Sequence, residues 1–137
     1  MISRGDNDLA WIGYLPPSYI IIDGSTALST TSRGVILVVL DAVNCILLSN
    51  ASFDTHASVA ETDALMSYVC NLPVFTFLLG ITHDEPEQYL SPAYPMFESE
   101  LGINLTTLKW RGKFAFMAQV GYPGQTIWSL FHREALR

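Results

Sequence analysis

The chain has 137 residues, half of them hydrophobic and 15% charged, with a net charge of −6. That length and composition suit a single domain, 1–137, with a core of its own, and exclude a disordered chain. The acidic balance argues against nucleic acid or an anionic membrane surface as partner, because phosphate recognition needs clustered cations and the seven Lys and Arg residues form no run.

Met1–Asp8 is polar, and Met1–Asn7 lacks the apolar stretch of a signal peptide. Leu9–Leu15 (LAWIGYL) is predicted as a first strand, ended by Pro16-Pro17. Tyr19–Ile22 and Thr26–Thr30 read as a hairpin turned by Asp23-Gly24. Ser29–Ser32 then leads into Arg33-Gly34 and the central stretch of the chain. Val35–Leu40 is a continuous aliphatic run, which suits a strand covered on both faces and falls far short of the ~20 apolar residues that cross a bilayer. A turn at Asp41–Asn44 returns the chain as Cys45–Phe53. That strand closes on Phe53-Asp54-Thr55, with Phe53 anchored in the core and Asp54 capping a turn.

After Thr55 the hydrophobic period changes. Ser58 and Glu61 fit a capping box, and Leu65, Tyr68, Val69 and Leu72 fall on one helical face before Pro73 stops the helix. Val74–Thr82 is a second buried strand, and His83–Pro86 a polar elbow. Pro92 and Pro95 divide Glu87–Leu101 into a short turn and a helix beginning near Pro95, with Gly102 as its C-terminal cap. Lys113–Val120 and Thr126–His132 are the last strands, joined through Gly121-Tyr122-Pro123-Gly124. The order β-β-β-β-β-α-β-α-β-β predicts an α+β fold, a sandwich of two antiparallel β-sheets with two helices packed outside.

Among the chemically notable residues, Cys45 and Cys70 are too few for a disulfide framework. They are either free thiols, one of them in the core, or a pair across it. Asn50-Ala51-Ser52 and Asn104-Leu105-Thr106 are candidate N-glycosylation sequons, Asn50 falling within a strand. Asp54, His56 and Ser58 lie too close in sequence for triad geometry, and no nucleophile elbow is present. His83-Asp84-Glu85 gains no completing ligand from the spacing of His56 or His132, so neither metal nor cofactor is expected. Phe75, Phe77, Phe114, Phe116, Trp128 and Phe131 alternate along strands and are expected in the core.

Arg33-Gly34-Val35, Phe53-Asp54-Thr55, the helix that follows, Thr82-His83-Asp84-Glu85, the Leu101-Gly102 helix end and Trp110–Phe116 (WRGKFAF) occur in a telling order. In that order they resemble the interleukin-like EMT-inducer, or PANDER, domain family. Within it the chain is most similar to the stem domain of protein O-mannose β-1,2-N-acetylglucosaminyltransferase, over roughly Tyr19 to Phe131. The resemblance implies two antiparallel sheets flanked by helices, and a non-catalytic domain of the Golgi lumen or the extracellular space. It also implies a partner, a glycan ending in β-linked N-acetylglucosamine, bound through two arginines and an aspartate. Those positions fall on Arg33, Asp84 and Arg111. An Arg fork donates to several sugar oxygens, a carboxylate accepts from hydroxyls, and Trp110 offers a face to the ring. The alternative for these residues is an Arg33–Asp84 or Arg111–Asp84 ion pair that steadies loop ends. The alternative for the domain is a cytokine-like or structural protein-interaction module, with an apolar patch around Trp11, Tyr14, Tyr89 or Tyr122.

Overall fold

The structure is a computed structural model and describes residues 4–5, 17–22 and 24–131. The strand predicted at Leu9–Leu15, with Trp11 and Tyr14, lies outside the described residues, as do Asp23 and His132. The elements in order are β1 (Arg4–Gly5), β2 (Ser18–Ile22), β3 (Ser25–Thr30), β4 (Gly34–Leu40), β5 (Leu47–Phe53), α1 (Val59–Cys70), β6 (Phe77–Asp84), α2 (Tyr94–Leu101), β7 (Lys113–Gln119) and β8 (Ile127–Phe131).

The larger sheet runs β5-β4-β6-β7-β8, antiparallel at each step, and β2-β3 forms a second, two-stranded antiparallel sheet. β1 adds a short parallel pairing to the end of β6, which the sequence pattern does not show. The continuous apolar run of β4 is explained by burial on both faces. Val35, Leu37 and Val39 join the core under the helices, while Ile36 and Val38 join Ile20, Leu79 and Ile81 under the β2-β3 hairpin. Both helices lie over the same face, so the molecule is layered as helices, large sheet, hairpin.

Side-chain chemistry sets the helix ends as expected. The Ser58 hydroxyl accepts from the Glu61 amide at the start of α1, and Thr62, Leu65 and Val69 form its buried face. α2 carries Pro95 in its first turn and ends at Gly102 in the left-handed region, φ 69°. There the Gly102 amide donates to the Glu98 carbonyl, the 5→1 bond of an αL cap, and the Ile103 amide to the Phe97 carbonyl. Phe97 then stands edge-on to Phe114 and Phe116, at 5.6 and 6.2 Å between ring centroids. Gly80 faces Phe116 across the β6-β7 ladder, and a Cβ there would collide with that ring.

Several expectations are corrected. β6 begins at Phe77, not Val74, because Thr76 donates to the Pro73 carbonyl in a turn that holds Phe75 at φ 77°. It ends at Asp84, so His83 and Asp84 belong to the strand and His83 is buried. Of the aromatic set, Phe114 and Phe116 are core. Phe75, Trp128 and Phe131 are exposed, the last two because β8 is an edge strand. Cys45 and Cys70 are both free and both exposed, so neither fills the core.

Candidate functional site

The Gly34↔His83 register of the central ladder brings Arg33, just before β4, beside Asp84, the last residue of β6. The β6-β7 ladder runs with Ile81 opposite Ala115, which carries Arg111 to the same end of the sheet. The Arg111 amide donates to Glu85 Oε1 at 3.1 Å, fixing the loop before β7 to the residue after Asp84. Arg33, Asp84 and Arg111 therefore converge at one end of β4-β6-β7. Trp110 joins them half-exposed, its ring centroid 5.9 Å from the Arg111 guanidinium carbon and 5.3 Å from the His56 ring.

Arg33 is paired otherwise than in the Arg33–Asp84 alternative. Arg33 forms a fork on Asp54, Nε donating to Oδ1 at 2.9 Å and a terminal nitrogen to Oδ2 at 2.8 Å. The same Asp54 Oδ1 accepts from the Ala57 amide, so Asp54 caps the turn into α1 as expected and grips Arg33 as well. The Arg33 fork, assisted by the Ala57 and His56 amides, holds the Asp54 carboxyl below the usual carboxylate range against a partial burial penalty. In turn Asp54 raises the Arg33 pKa above its ordinary value, and the charges of Asp84 and Glu85 add to the effect. The fork uses two of the five N–H groups of a guanidinium and leaves the rest of Arg33, 39% exposed, at the surface.

The Arg-Gly and Phe-Asp-Thr tripeptides owe their types to this contact. Gly34 has φ 105°, and a Cβ there would strike the Phe53 carbonyl oxygen. Phe53 is buried, and the Thr55 hydroxyl donates to the Pro86 carbonyl at 2.6 Å. The hairpin close is thereby tied to the loop after β6.

At the centre of the tie lies Glu85, 2% exposed, which sequence reasoning passes over as part of a polar elbow. Its carboxylate accepts from the amides of Glu87, Gln88 and Arg111 and meets His56 Nδ1 at 2.7 Å. A buried carboxylate persists only when its lone pairs are taken up in this way. Two of its partners lie within three residues, but His56 and Arg111 come from other loops, and no local pattern announces them. The Arg33–Asp54 pair did have a signal: a turn at 41–46 sets Val35 opposite Phe53, which places residues 33 and 54 together at the hairpin mouth.

Two non-glycine residues here adopt the left-handed region, Asp84 at φ 58° and Arg111 at φ 60°. Such conformations are sparsely populated and persist where the surroundings over-determine them, a situation that clusters at ligand sites. The predicted sugar-site residues are thus brought together on strained, well-anchored strand ends. Asn50 lies well along β5 and Asn104 in the loop after α2.

A sequence profile of the interleukin-like EMT inducer family matches residues 33–122, more than half of the chain. The chain belongs to this family. The part shared with the interleukin-like EMT inducers starts at Arg33 and takes in Asp54, Asp84, Glu85, Trp110 and Arg111, whereas the β2-β3 hairpin precedes it. No curated protein sequence matches the chain significantly.

Proposed function

We propose that this domain is a non-catalytic carbohydrate-binding module. It takes a glycan terminus such as β-linked N-acetylglucosamine at the Arg33, Asp84 and Arg111 end of the sheet. The observation that carries the reading is the convergence there of two arginines, an aspartate and a half-exposed indole on strand ends held by the core. A pyranose presents hydroxyls, an acetamide carbonyl and an apolar C–H face. Guanidinium donors match the oxygens, a carboxylate matches the hydroxyl protons, and an indole matches the C–H face. Glu85, the one deeply buried acid among the described residues, is occupied by three backbone amides and His56, a positioning duty and not that of a general acid. The choice of sugar, a role accessory to an enzyme, and the Golgi lumen or extracellular space as its place rest on the resemblance of the motif order to a glycosyltransferase stem.

The test is an NMR titration of the labelled domain with a β-linked N-acetylglucosamine glycoside. Shifts confined to the neighbourhood of Arg33, Asp84, Trp110 and Arg111 are expected. Asp84→Ala and Arg111→Ala should each remove them while leaving the remaining spectrum dispersed. No shifts at millimolar sugar would sink the reading for that ligand.

A second reading, a protein-interaction domain, is favoured by a different surface. At the other end of the hairpin, Ile21, Leu40, Leu79, Met117, Ile127 and Trp128 help to line an apolar cavity of about 450 Å³. It is a different surface from the one expected around Trp11, Tyr14, Tyr89 or Tyr122, of which Tyr89 and Tyr122 are exposed. If that surface is the working one, Met117→Lys should abolish partner association and leave sugar titrations unchanged.

A further inference from the structure

The two sequons, alike in sequence, occupy unlike backbones. Asn104 is exposed in the loop between α2 and β7 and is flanked by Ile103 and Leu105, which are 0% and 1% exposed. The two anchors bury inward and leave residue 104 at the surface, so a large group on its side chain meets solvent with no rearrangement of the core. Its Oδ1 accepts from the Thr106 amide at 3.0 Å and from the Thr106 hydroxyl at 2.6 Å. The backbone amide can only donate, so this contact assigns the oxygen and directs the Nδ2 group away from the turn.

That arrangement has a chemical consequence. Two donors on the carboxamide oxygen draw electron density from the C–N unit and favour loss of an Nδ2 proton, the step that makes an amide nitrogen nucleophilic. The second donor exists only because residue 106 carries a hydroxyl. All the contacts lie within three residues, so the turn is closed by local chain alone.

Asn50 is exposed as well, on an edge strand, but its backbone differs. It lies within β5, opposite Val38 in the antiparallel ladder with β4. In extended backbone, residues two apart are separated by about 6.6 Å at ~3.3 Å per residue, which keeps the Ser52 hydroxyl from an Asx-type contact with Asn50. A turn at Asn50 would break the ladder beside the central strand.

We propose that Asn104 is an N-glycan acceptor and that Asn50 is not. The donor is of the isoprenoid diphosphate oligosaccharide class, delivered by a membrane oligosaccharyltransferase. Nδ2 of Asn104 attacks the anomeric carbon and an N–C bond forms. The bond from that carbon to the diphosphate oxygen breaks with its electron pair, and the Nδ2 proton passes to a carboxylate of the transferase.

The experiment expresses the full chain behind a secretion leader in a eukaryotic cell and reads occupancy at both asparagines by peptide mass spectrometry after enzymatic deglycosylation, which leaves Asp at an occupied site. Conversion at Asn104 with Asn50 unconverted is expected. The glycan-dependent gel shift should survive Asn50→Gln and Thr106→Ser and vanish with Asn104→Gln and Thr106→Ala. Because the peptide reading uses the unmutated chain, a variant that fails to fold does not obscure it. An unmodified Asn104, or Asn50 occupied to the same extent, overturns the proposal.

Discussion

The two ends of the central β4-β6 ladder are built on opposite principles. At the Leu40 end the chain turns by local means: the Asp41 carboxylate accepts from the Val43 and Asn44 amides, and Val43 and Ile46 stand exposed. At the Gly34 end the contacts are long-range, joining Arg33 to Asp54, Thr55 to Pro86, His56 to Glu85 and Glu85 to Arg111. Each end carries two non-glycine residues in the left-handed region, Cys45 and Phe75 in turns at the Leu40 end, Asp84 and Arg111 beside the long-range network at the other. A turn made by neighbours tolerates change, while an end made by distant partners fails as a unit. The second kind of end can hold a binding constellation in place.

The largest effect that separates the two ends is expected from Gly34→Ala. The new Cβ meets the Phe53 carbonyl and the backbone leaves a permissive φ, so a loss of ~3 kcal/mol or more, or failure to fold, is expected in urea unfolding. Gly24→Ala is the control, because nothing lies within 4 Å of a Cβ there despite its φ of 77°. Equal losses would remove the argument from close approach.

Next comes Glu85→Ala, which takes the acceptor from three part-buried amide donors and is expected to cost about 3 kcal/mol. Glu85→Gln keeps a carbonyl acceptor and should lose less. Amide exchange would show the linkage directly, with protection lost at Glu87, Gln88 and Arg111 and retained at Val43 and Asn44. Uniform loss at both ends would mean that the network is not a separate unit.

The smallest effect is electrostatic. Asp54 and Asp41 both titrate below the usual carboxylate range, Asp54 through Arg33 and Asp41 through the Asn44 and Val43 amides. A depressed folded pKa stabilises fully above the unfolded value of ~3.9 and stops doing so as the pH falls through the folded pKa. Acid should therefore release the Arg33–Asp54 fork, worth ~1 kcal/mol or less at its exposure. In an NMR pH titration, Arg33→Ala should raise the Asp54 midpoint and leave Asp41 where it is. Movement of both would couple ends that the structure keeps apart.

Much of the architecture was written in local pattern. The unbroken run Val35–Leu40 announced burial on both faces, Ser58 and Gly102 marked helix ends, and the order of elements set the sandwich. These features depend on neighbours or on a short hydrophobic period, which a single chain displays. What only the tertiary structure decided are the partners of charge: Arg33 with Asp54 and not Asp84, and Glu85 as a buried hub and not a solvated elbow. It also decided that the Asn104 side chain closes a turn on Thr106, while Asn50 lies in a ladder as its strand pattern had indicated. The reason is physical. Hydrophobic periodicity is encoded residue by residue, whereas the Glu85 carboxylate adds to its two local amides the distant partners His56 and Arg111, whose meeting exists only once the strands have paired.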